Sequence, residues 1–246
     1  MFENNHRVGN FTSSKMAMLM SNGRAAGSVG APFKTYVDQK RRERKLGRSL
    51  DLGKSNRSMA WGHLMEAYVM FDKLGFAYAH HGKLTSVHPE HSYWAGTADL
   101  VQTGVKIGDI KAYEPDNFTK LADVLQEQDV ELFKKEYTAE YWQLVSNACI
   151  HVVDRVEMIL FMPLRSELDL IREWLNNLDE MQSNELHRYR YIMDANDEEL
   201  PYLPDDCVDY KSLETFEFEV PKEDVEALTE RVILAEAELC YKPELI

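Results

Sequence analysis

The run Val156-Glu157-Met158-Ile159-Leu160-Phe161-Met162 limits the fold more than any other stretch of these 246 residues. It alternates too little for a strand with one wet face, so it reads as a central strand buried on both sides. Such a strand needs helices on two faces of its sheet, which places the chain in the α/β class. Helices are predicted from the Thr12-Ser13-Ser14 cap to Gly23, over 32–47 with Pro32 in the first turn, and over 58–74, stopping at Gly75. Strands follow at 76–80, 84–88, 93–101 and 105–112, then helices at 117–135 and 138–150. After the buried strand come a helix at 166–182, a strand at 214–220 and a last helix at 221–239, with Glu223 and Asp224 in its first turn. Residues 22–30 read as a loop, and the acidic, Pro-containing 194–209 as a flexible one.

Three segments carry chemistry: Trp61-Gly62-His63-Leu64-Met65-Glu66, Gly96-Thr97-Ala98-Asp99 and Gly108-Asp109-Ile110-Lys111. A strand puts residues i and i+2 on one face, so Asp109 and Lys111 project together while Ile110 points into apolar packing. Asp99 falls on the preceding strand of a hairpin turning near Gln102-Thr103-Gly104, and Glu66 reaches the same point from a helix. Taken singly, each segment also fits a solvated strand edge, a turn or a helix surface; it is their order that argues for one site. Gly62, inside the helix, costs about 1 kcal/mol relative to Ala, and is read as marking the close approach of another element. Oxygen donors of this kind suit Mg²⁺ or Mn²⁺ with positions left open for a phosphate, and a nearby lysine completes a site for phosphodiester cleavage.

Net charge is −14, an unusual balance for a chain acting on nucleic acid, but the acidity is local. Residues 154–246 hold 9 Lys and Arg against 25 Asp and Glu. Residues 34–57 hold nine basic residues, Arg41, Arg42, Arg44 and Arg48 among them, against three acidic ones, and form a candidate phosphate track. If so, the acidic half should face away from it. Cys149, Cys207 and Cys240 are odd in number and widely spaced, which argues against a disulfide framework, a zinc ribbon or a cysteine-held iron–sulfur cluster. His80, His81, His88 and His91 crowd one hairpin and read as solvated turn residues. No apolar stretch approaches the ~20 residues of a membrane span, and a cytoplasmic location is expected.

The pattern of helical Glu, then Asp, then Asp-x-Lys resembles the PD-(D/E)xK nuclease superfamily, and the flanking residues narrow it. Arg7-Val8-Gly9-Asn10-Phe11-Thr12-Ser13-Ser14 is similar to the R-x-G-x-x-T-x-S segment of phage lambda exonuclease-type recombination nucleases. Ala60-Trp61-Gly62 followed by Glu66 resembles their A-W-G-x-x-x-E helix, and Tyr141-Trp142-Gln143 their glutamine element. The resemblance covers residues 7 to about 162. It implies a restriction-endonuclease-like core, a central mixed sheet flanked by helices, in a single domain with a helical DNA-entry region (1–57), a catalytic core (58–163) and an acidic extension (164–246). It implies that Glu66, Asp99, Asp109 and the Ile110 carbonyl bind metal, two ions per site, in a bacterial or phage-infected cell. Lys111 would assist the attacking water, Gln143 would support the site, and Arg7 and Ser14 would hold a terminal 5′ phosphate. The chain departs from the lambda type in carrying Asp109 where that type has Glu, a reach shorter by one methylene. Activity would be 5′ to 3′ degradation of linear duplex DNA by a homo-oligomeric ring, perhaps a trimer, working with a single-strand annealing protein. Another PD-(D/E)xK endonuclease, or a catalytically silent DNA-binding or assembly protein of that fold, are the alternatives.

Overall fold

The computed structural model describes residues 5–50, 56–74, 79–80, 84–177 and 186–241. In chain order the elements are β1 (Phe11–Thr12), α1 (Met16–Leu19), α2 (Ala31–Leu46), α3 (Arg57–Tyr68), β2 (Ala79–His80), β3 (Ser86–Val87), β4 (Trp94–Gly96), β5 (Leu100–Gln102) and β6 (Lys106–Lys111). Then follow α4 (Pro115–Gln126), α5 (Val130–Glu136), α6 (Thr138–His151), β7 (Arg155–Phe161), α7 (Leu168–Asn176), α8 (Leu186–Asp194), β8 (Leu213–Glu219) and α9 (Lys222–Cys240).

The main sheet has the order β2-β5-β6-β7-β8, with β6 and β7 parallel and the other pairs antiparallel. β7 is the buried central strand that its composition requires. Val156, Met158 and Leu160 enter a core built with α2, α4, α5, α6 and α9, while Ile159 and Phe161 enter a second core under α3, α7 and α8. The same division holds along β6: Ile107 lies on the α6 side, and Ile110 with Ala112 on the α3 side. The parallel step from β6 to β7 needs a long crossover, which α4, α5 and α6 supply.

Several elements differ from the sequence reading, each for a visible reason. The predicted strand 93–101 is two strands in two sheets: β4 pairs with β1 and β3, β5 with β2 and β6, and the chain changes sheets at Thr97-Ala98-Asp99. The predicted helix 117–135 breaks where Gln128 takes a φ of +54° and Asp129 caps α5 through the N–H groups of Glu131 (2.9 Å) and Leu132 (3.0 Å). The first helix shrinks to a 3₁₀ turn, Ser13–Lys15, and α1. The third continues past Tyr68 as a π-helical turn, Val69–Lys73. The helix 166–182 is the shorter α7, and α8 was not expected. Segment 194–209, read as flexible, is pinned by buried Leu200 and Leu203 and by a parallel bridge from Leu203 to Leu164. Gly75, 76–78, 81–83 and 178–182 lie outside the described residues. The expected β5–β6 turn is present, with Gly104 at φ +70° and the Val105 N–H bonded to the Gln102 carbonyl at 2.9 Å.

Candidate active site

Strand β6 directs Asp109 and Lys111 toward α6, and Asp109 is fully buried. Lys111 Nζ lies 2.6 Å from Asp109 Oδ2, and Gln143 of α6 donates through Nε2 to Oδ1 at 2.5 Å. Asp99 stands where β5 begins, one residue beyond the registered pair Leu100–Gly108, and so beside Asp109 on the same face. Its Oδ2 accepts the Ile110 N–H at 2.9 Å, filling the ladder position that the chain vacates when it changes sheets. The N–H and C=O of one strand residue point the same way, so the Ile110 carbonyl also faces the Asp99 edge. Glu66, half-buried on α3, completes the group, with His63 Nδ1 3.5 Å from its Oε2.

Burial, then the charges of Asp109 and Glu66, hold the Asp99 carboxyl well above its ordinary range, with Lys111 acting in the opposite sense. Burial acts to lower the affinity of Lys111 for its proton. The charges of Asp109 and Asp99 outweigh it, so the ammonium is held protonated above its usual range. Among the described residues no three His, Cys, Asp or Glu side chains converge tightly enough to hold an ion outright. The donor set nevertheless fits a hard divalent cation: every donor is oxygen, the acids repel one another, and Asp109 Oδ2 is buried with the Lys111 ammonium 2.6 Å away.

The N-terminal segment joins the small sheet that leads into Asp99. β1 runs parallel to β4 with Phe11 opposite Trp94 and Thr12 opposite Ala95, and Ser13 Oγ lies against Gly96. Ser13 is buried and accepts from the Ser146 hydroxyl (2.9 Å), which accepts from Trp94 Nε1 (2.8 Å); Ser14 is exposed. Arg7 is exposed, and α2 holds the backbone around it. Glu43 accepts the Gly9 N–H (3.2 Å), Arg44 Nε donates to the Gly9 carbonyl (2.9 Å), and Tyr36 OH accepts from the Thr12 N–H (2.8 Å).

Gly62 does not mark a close approach: a methyl there would meet only the Ala112 carbonyl, at 3.7 Å. Close approach is found instead at Gly9, Gly23, Gly30 and, beside this site, Gly96, where a Cβ would collide with Ser13 Oγ and Asn147 Oδ1. Nor is the basic run a uniform track. Lys40 is buried against Glu43 at 2.9 Å, Arg44 donates two parallel hydrogen bonds to the Glu236 carboxylate of α9 (2.8 and 2.6 Å), and Arg41 pairs with Asp38 and donates to the Glu238 carbonyl at 2.8 Å. The expectation that the acidic half faces away from this run fails for α9, which packs directly on α2. Arg42 and Arg48 remain exposed. His88 and His91 are half-buried rather than solvated, with His88 stacked on Trp94 and its Nδ1 accepting the Glu90 N–H. Sequence reading missed Tyr113, Glu140, Ser146 and Asn147; the spacing of 140, 143 and 147 along one face of α6 was the available signal.

No family model matches the sequence, and no curated protein matches it. The fold has counterparts among solved structures. An alkaline exonuclease from Laribacter hongkongensis superposes with a TM-score of 0.60 at 13% identity, over 95% of this chain and 89% of that one. The same enzyme in complex with dAMP gives 0.60 at 12%, over 96% and 90%. A phage-related exonuclease from Haemophilus somnus 129PT gives 0.59 at 15%, over 94% and 93%. The chain therefore has the α/β fold of these exonucleases along nearly its whole length, as the resemblance implied. No helix among the described residues is long and apolar enough to cross a membrane.

Proposed function

We propose that this protein is a Mg²⁺- or Mn²⁺-dependent exonuclease that degrades one strand of linear duplex DNA from its 5′ end, as a homo-oligomeric ring serving recombination with a single-strand annealing partner. The observation that carries the reading is the convergence of Asp99, Asp109, Lys111 and Gln143 at the end of β6, in a fold shared with exonucleases. A divalent ion held by Glu66, Asp99, Asp109 and the Ile110 carbonyl would polarise the scissile phosphate and offset its charge. Lys111, held protonated, is a donor rather than a base; it orients the attacking water and offsets charge developing on phosphorus. Gln143 fixes the Asp109 carboxylate in place. Water oxygen bonds to phosphorus as the P–O3′ bond breaks, the proton passes to O3′, and the shortened strand ends in a new 5′ phosphate.

That new end is the group for Arg7 and Ser14: a guanidinium offers two parallel donors and the hydroxyl a third. Linear duplexes with a 5′ phosphate are expected to be degraded at least about tenfold faster than those with a 5′ hydroxyl, as charge-assisted hydrogen bonds of this kind imply. Arg7→Ala should erase the difference, and covalently closed circles should remain intact. Equal rates on both ends would remove Arg7 and Ser14 from the site, and cutting of closed circles would make the enzyme an endonuclease.

DNA contact in this basic run falls to its exposed arginines, Arg42 on α2 and Arg48 just beyond the end of the helix. Arg42→Gln with Arg48→Gln should weaken duplex binding and reduce the slope of log affinity against log salt by about two, one for each lost phosphate contact. Arg41→Gln with Arg44→Gln should change the slope less, because both charges are committed to local acids and α9. The comparison is read by fluorescence anisotropy across a salt series in Ca²⁺.

A further inference from the structure

The α6-facing side of β6 continues past Lys111. Residues 109, 111 and 113 lie on one face of the extended chain, and Tyr113 packs with the core on the α6 side while Ala112 packs on the other. On α6, Glu140 precedes Gln143 by one helical turn, and the two make successive contacts: Gln143 donates to Asp109, and the Tyr113 hydroxyl donates to Glu140 Oε1 at 2.9 Å. The Asp109 side chain is 0% exposed and that of Lys111 19%, and Tyr113 is half-buried. The row is therefore closed at Asp109 and partly open at Lys111 and Tyr113, so that a phosphate reaching Lys111 along it lies beside this phenol. The charges of Lys111 and Asp109 both act on its hydroxyl, which places the three groups in one electrostatic neighbourhood.

Resting on the exonuclease reading, we infer that Tyr113 is a further catalytic residue, whose hydroxyl leaves Glu140 and donates to a non-bridging oxygen of the scissile phosphodiester. A phenol O–H has one proton and rotates about its C–O bond, so it serves one acceptor at a time. Glu140 is the acceptor in the free protein. It is half-buried, so water can solvate its carboxylate once the phenol turns to the substrate.

The test compares wild type, Tyr113→Phe and Glu140→Gln on a 5′-phosphorylated linear duplex in Mg²⁺, with the first linkage either natural or one phosphorothioate diastereomer. Thermal melting confirms that each variant is folded; Tyr113→Phe keeps the packed ring. Tyr113→Phe is expected to lower kcat/KM about tenfold to a hundredfold, the range for a hydrogen bond to a charged group. That defect should shrink on the diastereomer whose sulfur replaces the accepting oxygen, and Glu140→Gln, which keeps the phenol, should not reproduce this stereochemical dependence. A Tyr113→Phe protein as fast as wild type, or equally impaired on both diastereomers and the natural linkage, overturns this inference alone. A wild-type protein that leaves the natural duplex intact overturns the exonuclease reading with it.

Discussion

Asp109→Asn is expected to lower cleavage of linear duplex DNA by about a hundredfold to a thousandfold, the scale of losing one principal charge-stabilising group from a preorganised site. Asp109 is the node of the cluster: Lys111 and Gln143 both bind its carboxylate, and its charge acts on Asp99 and Lys111. Asparagine keeps the volume and the hydrogen bond from Gln143 through its amide oxygen, but not the charge that a cation and Lys111 require. Stability should change little, since the substitution removes one ion-pair partner of Lys111 and also one source of repulsion on Asp99. Cleavage is measured by release of acid-soluble nucleotide, and folding by circular dichroism. Retained wild-type activity would remove Asp109 from the site.

The second large effect is on the fold. Glu43→Ala is expected to destabilise the protein by about 3–5 kcal/mol, the cost of leaving a buried charge without its partner. Glu43 is 1% exposed and accepts from Lys40 Nζ (2.9 Å) and the Gly9 N–H (3.2 Å), so its removal strands the buried Lys40 and releases the segment that carries Arg7. A loss of this size corresponds to a fall in Tm of roughly 10 °C. Burial pushes the Glu43 carboxyl up, but the bonds from Lys40 and Gly9 more than offset this and hold it below its ordinary 4.5. Its contribution to stability is therefore present above that pH and is lost as pH falls through the lowered folded value. Thermal melts of wild type and Glu43→Ala should converge on acidification; a constant gap down to pH 3 would show that Glu43 is not held as a carboxylate.

What could be read from sequence was what depends on local period. The apolar run, interrupted only by Glu157, identified β7 as a strand covered on both faces, and the alternation Asp109, Ile110, Lys111 assigned each side chain to its proper side of β6. Missing was what depends on partners far along the chain. Nothing in 93–101 reveals that β4 and β5 join different sheets, because strand propensity does not encode which strand is adjacent. The arginines of 34–57 looked like a free basic track because Glu236 and the Glu238 carbonyl, which engage Arg44 and Arg41, lie nearly two hundred residues away. Glycine in a helix carries an obvious propensity penalty and drew attention to Gly62, while Gly96, which is under steric demand at the site, sits in a strand beside residues that only the fold delivers.

Glu66, Asp99, Asp109 and Lys111 are proposed to form a metal-dependent site for cutting DNA from its ends. The most direct measurement is release of nucleotide from 5′-labelled and 3′-labelled linear duplexes in Mg²⁺, in EDTA and in EDTA restored with excess Mg²⁺. The expected result is rapid, Mg²⁺-restored release of label from the 5′-labelled strand as mononucleotide, with the 3′ label retained on a shrinking fragment. Cleavage undiminished in EDTA, or no cleavage of either strand in Mg²⁺, would contradict it.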